Sequence, residues 1–274
     1  MSVNSSWKSN LPLYIGALIL SIIFFYPLYV LILITFVPAP LNNLSPYPPQ
    51  IPPGFTFYNI IQAYSSLNLT GPVTRSFYVA MMVGGLSLAL GIPAAYGLNK
   101  IGVRTANKFI IFFFLINMMP GIVVAIPISV EFLKLGLSNI YGVALAQELV
   151  VLPLSIFIIL GGFRALPSDL ENQARVDGAN LPTTMYRILI PMNRSAILVA
   201  FLLSWMTSWD EFTYAVIISP VKSTFPVQLY NYVTRAVSFE ASAFALTFTI
   251  PVIIVAVVLQ KYLKSQSFTG GLSS

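Results

Sequence analysis

Six long stretches almost free of charge decide what this chain can fold into: residues 11–37, 76–98, 109–130, 140–163, 196–218 and 241–263. A hydrocarbon core about 30 Å thick is crossed by roughly 20 residues of helix, each rising about 1.5 Å, because lipid leaves every backbone polar group to be bonded internally. Membrane barrel strands alternate polar and apolar residues over about 10 positions, whereas these runs are continuously apolar. With 57% hydrophobic and 8% charged residues in 274, and a mean hydropathy of +0.84, the bilayer is the solvent to assume. The expected fold is an all-α polytopic membrane protein with six transmembrane helices, forming one membrane domain over residues 1–274.

Basic residues are retained on the cytoplasmic side, so their placement orients the helices. With both termini inside, Lys8, Lys100, Arg104, Lys108, Arg164, Arg175, Arg187, Arg194, Lys261 and Lys264 are cytoplasmic, and Arg75, Lys134, Lys222 and Arg235 are outside. The expected location is the cell membrane. The formal charge of +6 is spread over loop ends and forms no basic cluster interleaved with aromatics, so nucleic acid is not an expected partner. The first stretch is too long for a signal-peptide core and has no A-x-A site, so it is expected to stay as an anchor. A chain with no Cys and no His has no disulfide, thiol chemistry, haem ligation or ordinary zinc site.

Residues 38–72 carry eight prolines and read as an extended outside spacer without regular structure. Pro27, Pro93, Pro120 with Pro127, Pro153 and Pro251 lie inside five of the six stretches and predict kinks, serving either packing or a moving pathway. Gly84, Gly85, Ser87, Ala89, Gly91, Ala94, Ala95 and Gly97 predict close packing of the second helix on another, in this chain or in a partner.

Residues 168–191 form the one long segment on the inside. Ser168 and Glu171 have capping-box spacing, Asp169 and Glu171 suit a helix N-terminus, and Gly178 suits a left-handed stop. A helix of about ten residues is marginal alone and is expected to dock on something. Leu170, Ala174 and Asp177 share a face that suits a groove on a partner; a linker helix lying against the membrane is the alternative.

Leu166, Pro167, Leu170, Glu171, Ala174, Val176, Asp177, Gly178, Ala179, Ile188 and Pro191 resemble the EAA loop of ABC-importer permeases. The resemblance implies the type I importer permease fold, with this segment as the coupling helix between helices 4 and 5. It assigns ATPase coupling to Glu171, Asn172, Ala174, Asp177, Gly178, Ala179 and Pro191. The family's Glu-Ala-Ala is here Asn172-Gln173-Ala174, Glu171 lies one residue before the usual acid, and Met185 takes a position usually aromatic. The stretch from Ser208 to Tyr214, with Asp210 for the usual Asn, resembles the W-N-E-F motif of the carbohydrate-uptake branch, in particular the smaller permease of maltose-type transporters. The 268–272 sequence FTGGL resembles that branch's tail, expected near the ATPase dimer.

The resemblance also implies the partners: a second homologous permease, two ABC ATPase subunits and an external sugar-binding protein, which residues 219–240 would meet. Sugar selectivity would lie largely in the binding protein and the partner permease. No Gly-Lys dipeptide occurs, so the phosphate loop is absent; the chain is expected to be no enzyme and to hold no cofactor, with ATP and magnesium on partner subunits.

Carboxylates in hydrocarbon mark function, and Glu148, Asp210 and Glu211 qualify. Glu148 and Asp210 would each lie about 12 Å deep, in one outer vestibule. Ser204, Thr207, Ser208 and Glu211 recur at i, i+3, i+4 and i+7, a stripe that could line a sugar path beside Trp205, Trp209 or Phe212, or could serve interhelical packing. The rival function is an ion-coupled secondary transporter relaying protons or sodium through Glu148, Asp210 and Glu211.

Overall fold

The computed structural model describes residues 11–38, 54–65, 69–234 and 238–267, with no side-chain detail for 238–240 and 261–267. Lys8, most of the proline-rich spacer, Arg235, the 268–272 tail and the Lys261 and Lys264 side chains lie outside that description. Every element among the described residues is helical.

The chain divides into two compact units, Met1–Leu69 with Asn231–Ile250 and Thr70–Tyr230 with Pro251–Ser274. In the first, α1 (Leu11–Phe36) is apolar on every side and buries only Leu33 and Thr35, as expected of a helix solvated by hydrocarbon. α2 (Tyr58–Ser65) corrects the expectation that 38–72 lacks regular structure. The prolines cluster before residue 54, and the proline-free stretch behind them is free to coil. Its buried Asn59 donates to the carbonyls of Thr35 (2.9 Å) and Val37 (3.1 Å), satisfying acceptors that the end of α1 leaves open. Phe36, Phe55 and Phe57 close that corner as an aromatic trio.

The second unit is built on α3 (Thr70–Lys100), α6 (Ile140–Arg164) and α10 (Arg194–Trp209), each packed against the other two. The small residues of α3 are what let them approach. A Cβ on Gly84 would stand 2.7 Å from the Phe201 ring of α10, and Ser87 is fully buried against α6. Part of the small-residue face thus packs within the chain, while Gly85 and Gly97 face open space.

Among the described residues, four helical stretches are singly long and apolar enough to cross a membrane: α1, α3, α6 and Ala241–Gln260 within α13 (Ser238–Ser267). Two bent pairs bring the number to six. α4 (Val103–Asn117) and α5 (Gly121–Lys134) meet at 86°, and Leu181–Met192 meets α10 at 77°. The predicted third helix is therefore broken at Met118–Pro120, where Pro120, which has no N–H to give the preceding turn, stands as N-cap of α5. Pro27, Pro93, Pro127, Pro153 and Pro251 sit inside continuous helices.

The predicted fifth helix is corrected too. α10 stops at Trp209, Asp210 caps it, and after Glu211 and Phe212 a separate α11 (Thr213–Ile218) begins. α12 (Phe225–Thr234) follows.

Candidate functional site

At the end of the second unit where α3 and α6 finish, the chain leaves Arg164 and turns through 165–169 into α7 (Leu170–Val176). The helix has seven residues and its stop is fully built. Asp177 is the C-cap, Gly178 takes φ +81°, the Gly178 amide donates to Arg175 (3.0 Å) and the Ala179 amide to Ala174 (2.9 Å). That paired pattern is the Schellman motif, the stop expected of Gly178. Its start differs from expectation: Asp169 is the N-cap and makes no side-chain capping bond, and Glu171 does not reach back to Ser168. The Glu171 carboxylate instead forms an ion pair with Lys100 in the last turn of α3.

Of the face expected to meet a partner, Leu170 and Ala174 turn inward and Asp177 stays outward. Ala174 is 4% exposed and packs inward, Leu170 and Glu171 are half-buried beside it, and Asn172, Gln173, Arg175 and Asp177 point out. Val176 stands 87% exposed, and Leu181 and Tyr186 extend the exposed surface beyond the stop. In so short a helix a weakly apolar set can turn either way, and here Ala174 and the Glu171–Lys100 pair lie on the inward side. Ala179 is half-buried, and Pro191 is exposed at the start of α9 (Ile190–Met192).

After the stop, Asn180 caps α8 (Leu181–Thr184) by accepting from the Thr183 amide at 3.0 Å. A π-helical turn, Met185–Leu189, leads into α9 and the 77° bend. At the bend the buried Asn193 donates to the Ile159 carbonyl of α6 at 3.1 Å. Gly162 makes room for it, since a Cβ there would lie 1.8 Å from Asn193 Oδ1 and 2.6 Å from Ala196 Cβ. Sequence reading missed Lys100, Gly162 and Asn193; the Gly161–Gly162 pair near the end of a membrane helix was the one available signal.

The candidate pathway residues separate into three groups. Ser204 and Ser208 lie buried on the α6 side of α10, the first bonded to Ser155 at 2.7 Å, the second donating to Gln147. Gln147 in turn donates to Glu211 at 3.1 Å, and the Glu211 carboxylate accepts the α11 amides of Tyr214 (2.8 Å) and Ala215 (3.2 Å). Glu211 is thus the cap that lets α11 start after the break, so the expected four-residue stripe does not run along one helix. Thr207 is exposed and bonds its own Leu203 carbonyl, and Asp210 is exposed at the C-cap.

Trp209 is buried, stacked on the buried Trp205 with ring centres 5.1 Å apart, and meets Phe225 at 6.2 Å. These indoles pack inside the protein instead of presenting a ring face. Asp210 is exposed, while Glu148 is buried and accepts from Ser87 at 3.0 Å, so the two carboxylates have different surroundings within this chain. Glu211 borders a cavity of about 250 Å³ with Asn117, Met119, Gly121, Thr213 and Tyr214, where the α4–α5 and α10–α11 breaks face each other. Gln147 and Ser155, which anchor these contacts, were not singled out in the sequence because, unlike Ser204, Thr207 and Ser208, they do not belong to a polar stripe at i, i+3, i+4 spacing.

In the second unit α3, α6 and α10 pack around a polar-bonded core, with broken helices beside them and an exposed stopped helix at one end, the framework of a polytopic membrane protein. The family described as binding-protein-dependent transport system inner membrane component matches residues 87–266, and the chain belongs to that family. It is 28% identical to the trehalose/maltose transport system permease protein MalG of Thermococcus litoralis, over 95% of each chain. Among solved structures it is similar to a chain of a bacterial ABC transporter involved in import of the acidic polysaccharide alginate, with TM-score 0.74, 21% identity and coverage of 94% of this chain and 98% of that one. It is also similar to a chain of the bacterial alginate ABC transporter in complex with an alginate pentasaccharide-bound periplasmic protein, with TM-score 0.64, 14% identity and coverage of 94% and 95%. The protein is a multi-pass ABC-transporter permease with the type I importer fold.

Proposed function

We propose that this chain is one of two permease subunits of an ATP-driven sugar importer. An external binding protein delivers the sugar, and two separate ATPase subunits, holding ATP and magnesium, drive alternation between outward and inward access. The observation that carries this reading is α7, a seven-residue helix with a built stop, an inner face pinned by Ala174 and Glu171, and an outer face led by Val176. An exposed apolar side chain on a short rigid helix suits insertion into a cleft of another protein. Asp177 and Gly178 give the helix its end, Asn172 lies on the outward surface, and Ala179 and Pro191 shape the chain behind it.

Sugar as the substrate class is supported by the trehalose/maltose relative and the alginate importers. The orientation with both termini cytoplasmic is supported by Lys100, Arg164 and Arg175, which lie on or beside α7. Residues 219–240, which include α12, are the surface proposed to meet the binding protein.

Affinity purification of the tagged chain from detergent-solubilised membranes tests this directly. An ATPase and a second permease are expected in the eluate. A chain recovered without an ATPase would contradict the proposal.

A further inference from the structure

We propose that the Lys100–Glu171 ion pair is the strut by which movement of α7 reaches α3; the inference rests on the reading of α7 as the helix that docks on the ATPase. α7 is joined to α6 through the short turn 165–169, so α6 follows it covalently. α3 has no such link, since Glu171 and Lys100 are 71 residues apart in sequence. A cavity of about 280 Å³ opens among Tyr96, Asn99, Lys100, Ser168, Glu171 and Leu189, so here the space between α7 and the end of α3 is not filled by packed side chains. The ion pair bridges it.

Both partners are held for that task. The Glu171 side chain is 13% exposed and that of Lys100 46%, so the pair is only partly open to water and salt. Glu171 lies in the first turn of α7 and Lys100 in the last turn of α3, where each charge opposes the partial charge of its own helix end. The Lys100 ammonium also sits 5.1 Å from the centre of the Tyr96 ring, and Tyr96 packs edge-on against Phe163 near the end of α6. α3 spans 31 residues, about 46 Å at the usual helical rise, and packs along α6 and α10. A pull on its last turn is therefore delivered to the core of the unit.

The chain has no cysteine, so one introduced on each helix in turn reports that helix alone. Tyr78→Cys on α3 and Tyr141→Cys on α6 replace exposed side chains. In the assembled importer, maleimide labelling of this chain is compared with and without magnesium-ATP. With Lys100 and Glu171 intact, ATP is expected to change the labelling rate at both positions, by about five-fold, the lower end of ordinary inter-site coupling. Lys100→Met or Glu171→Gln is expected to weaken the α3 response several-fold and leave the α6 response in place, the remainder reaching α3 through its packing on α6. Lys100→Arg preserves both, and the swap Lys100→Glu with Glu171→Lys recovers part of the α3 response. An α3 response undiminished in Lys100→Met, or a swap no better than the single variants, overturns the strut. Loss of the ATPase from the Lys100→Met complex also overturns it, because the pair would then only hold the docking surface in place. No ATP response at either reporter in the otherwise unaltered chain would overturn the docking reading itself.

Discussion

Replacing Gly178 with leucine is expected to cut the ATP hydrolysis stimulated by the external binding protein roughly tenfold, while the chain inserts in the membrane as before. Gly178 holds φ +81°, and a Cβ there would meet nothing within 4 Å. The penalty is therefore torsional, about 1–2 kcal/mol for a side-chain-bearing residue in the left-handed region. A shift of about 1.4 kcal/mol changes a population tenfold. α7 has seven residues, too few to persist without its ends, and the substitution strains the turn that carries the Gly178–Arg175 and Ala179–Ala174 bonds. Gly178→Asn, which tolerates that backbone better, is expected to lose much less. Hydrolysis by the assembled importer with and without its binding protein measures both. Full stimulation in Gly178→Leu would contradict the assignment of coupling to the shape of this helix.

The second large effect belongs to Gly162→Ala. Here space is the limit, because the new methyl would stand 1.8 Å from Asn193 Oδ1 and 2.6 Å from Ala196 Cβ. α10 must back away from α6, and the buried Asn193–Ile159 bond is lost with it. Overpacking and an orphaned buried amide together cost about 3 kcal/mol. Thermal unfolding of the purified protein in detergent should show a marked loss of stability. Gly162→Ala with Asn193→Ala should recover part of it by removing the nearer clash, leaving the contact with Ala196. A Gly162→Ala protein as stable as the parent would show that the 77° bend is not wedged by Asn193.

Runs of apolar residues located the membrane-crossing elements closely. α1 and α6 each end within one residue of the stretch that predicted them, and α3 (Thr70–Lys100) extends beyond the predicted 76–98 at both ends, chiefly at its start. Hydropathy is blind to backbone direction, so the same runs did not reveal that 109–130 turns by 86° or that 196–218 is two helices. Pro120 was visible as a helix disturber, but nothing local distinguishes it from Pro127, which α5 absorbs.

The stop at Gly178 was legible because it depends on one residue's backbone freedom. The start of α7 was not, because the Glu171 partner is 71 residues away and local spacing offers Ser168 first. Glu211 was noticed for its charge, yet its use as the cap of α11 follows from where α10 stops, which tertiary packing around Trp209 and Gln147 decides.

The outward face of α7 is expected to enter a cleft of the ATPase. A photo-reactive amino acid placed at Val176, 87% exposed, should crosslink to the ATPase subunit in the assembled importer. The same group at Ala174, 4% exposed and turned inward, should crosslink within the chain. An ATPase adduct from position 174 and none from 176 would show that the other face of the helix docks.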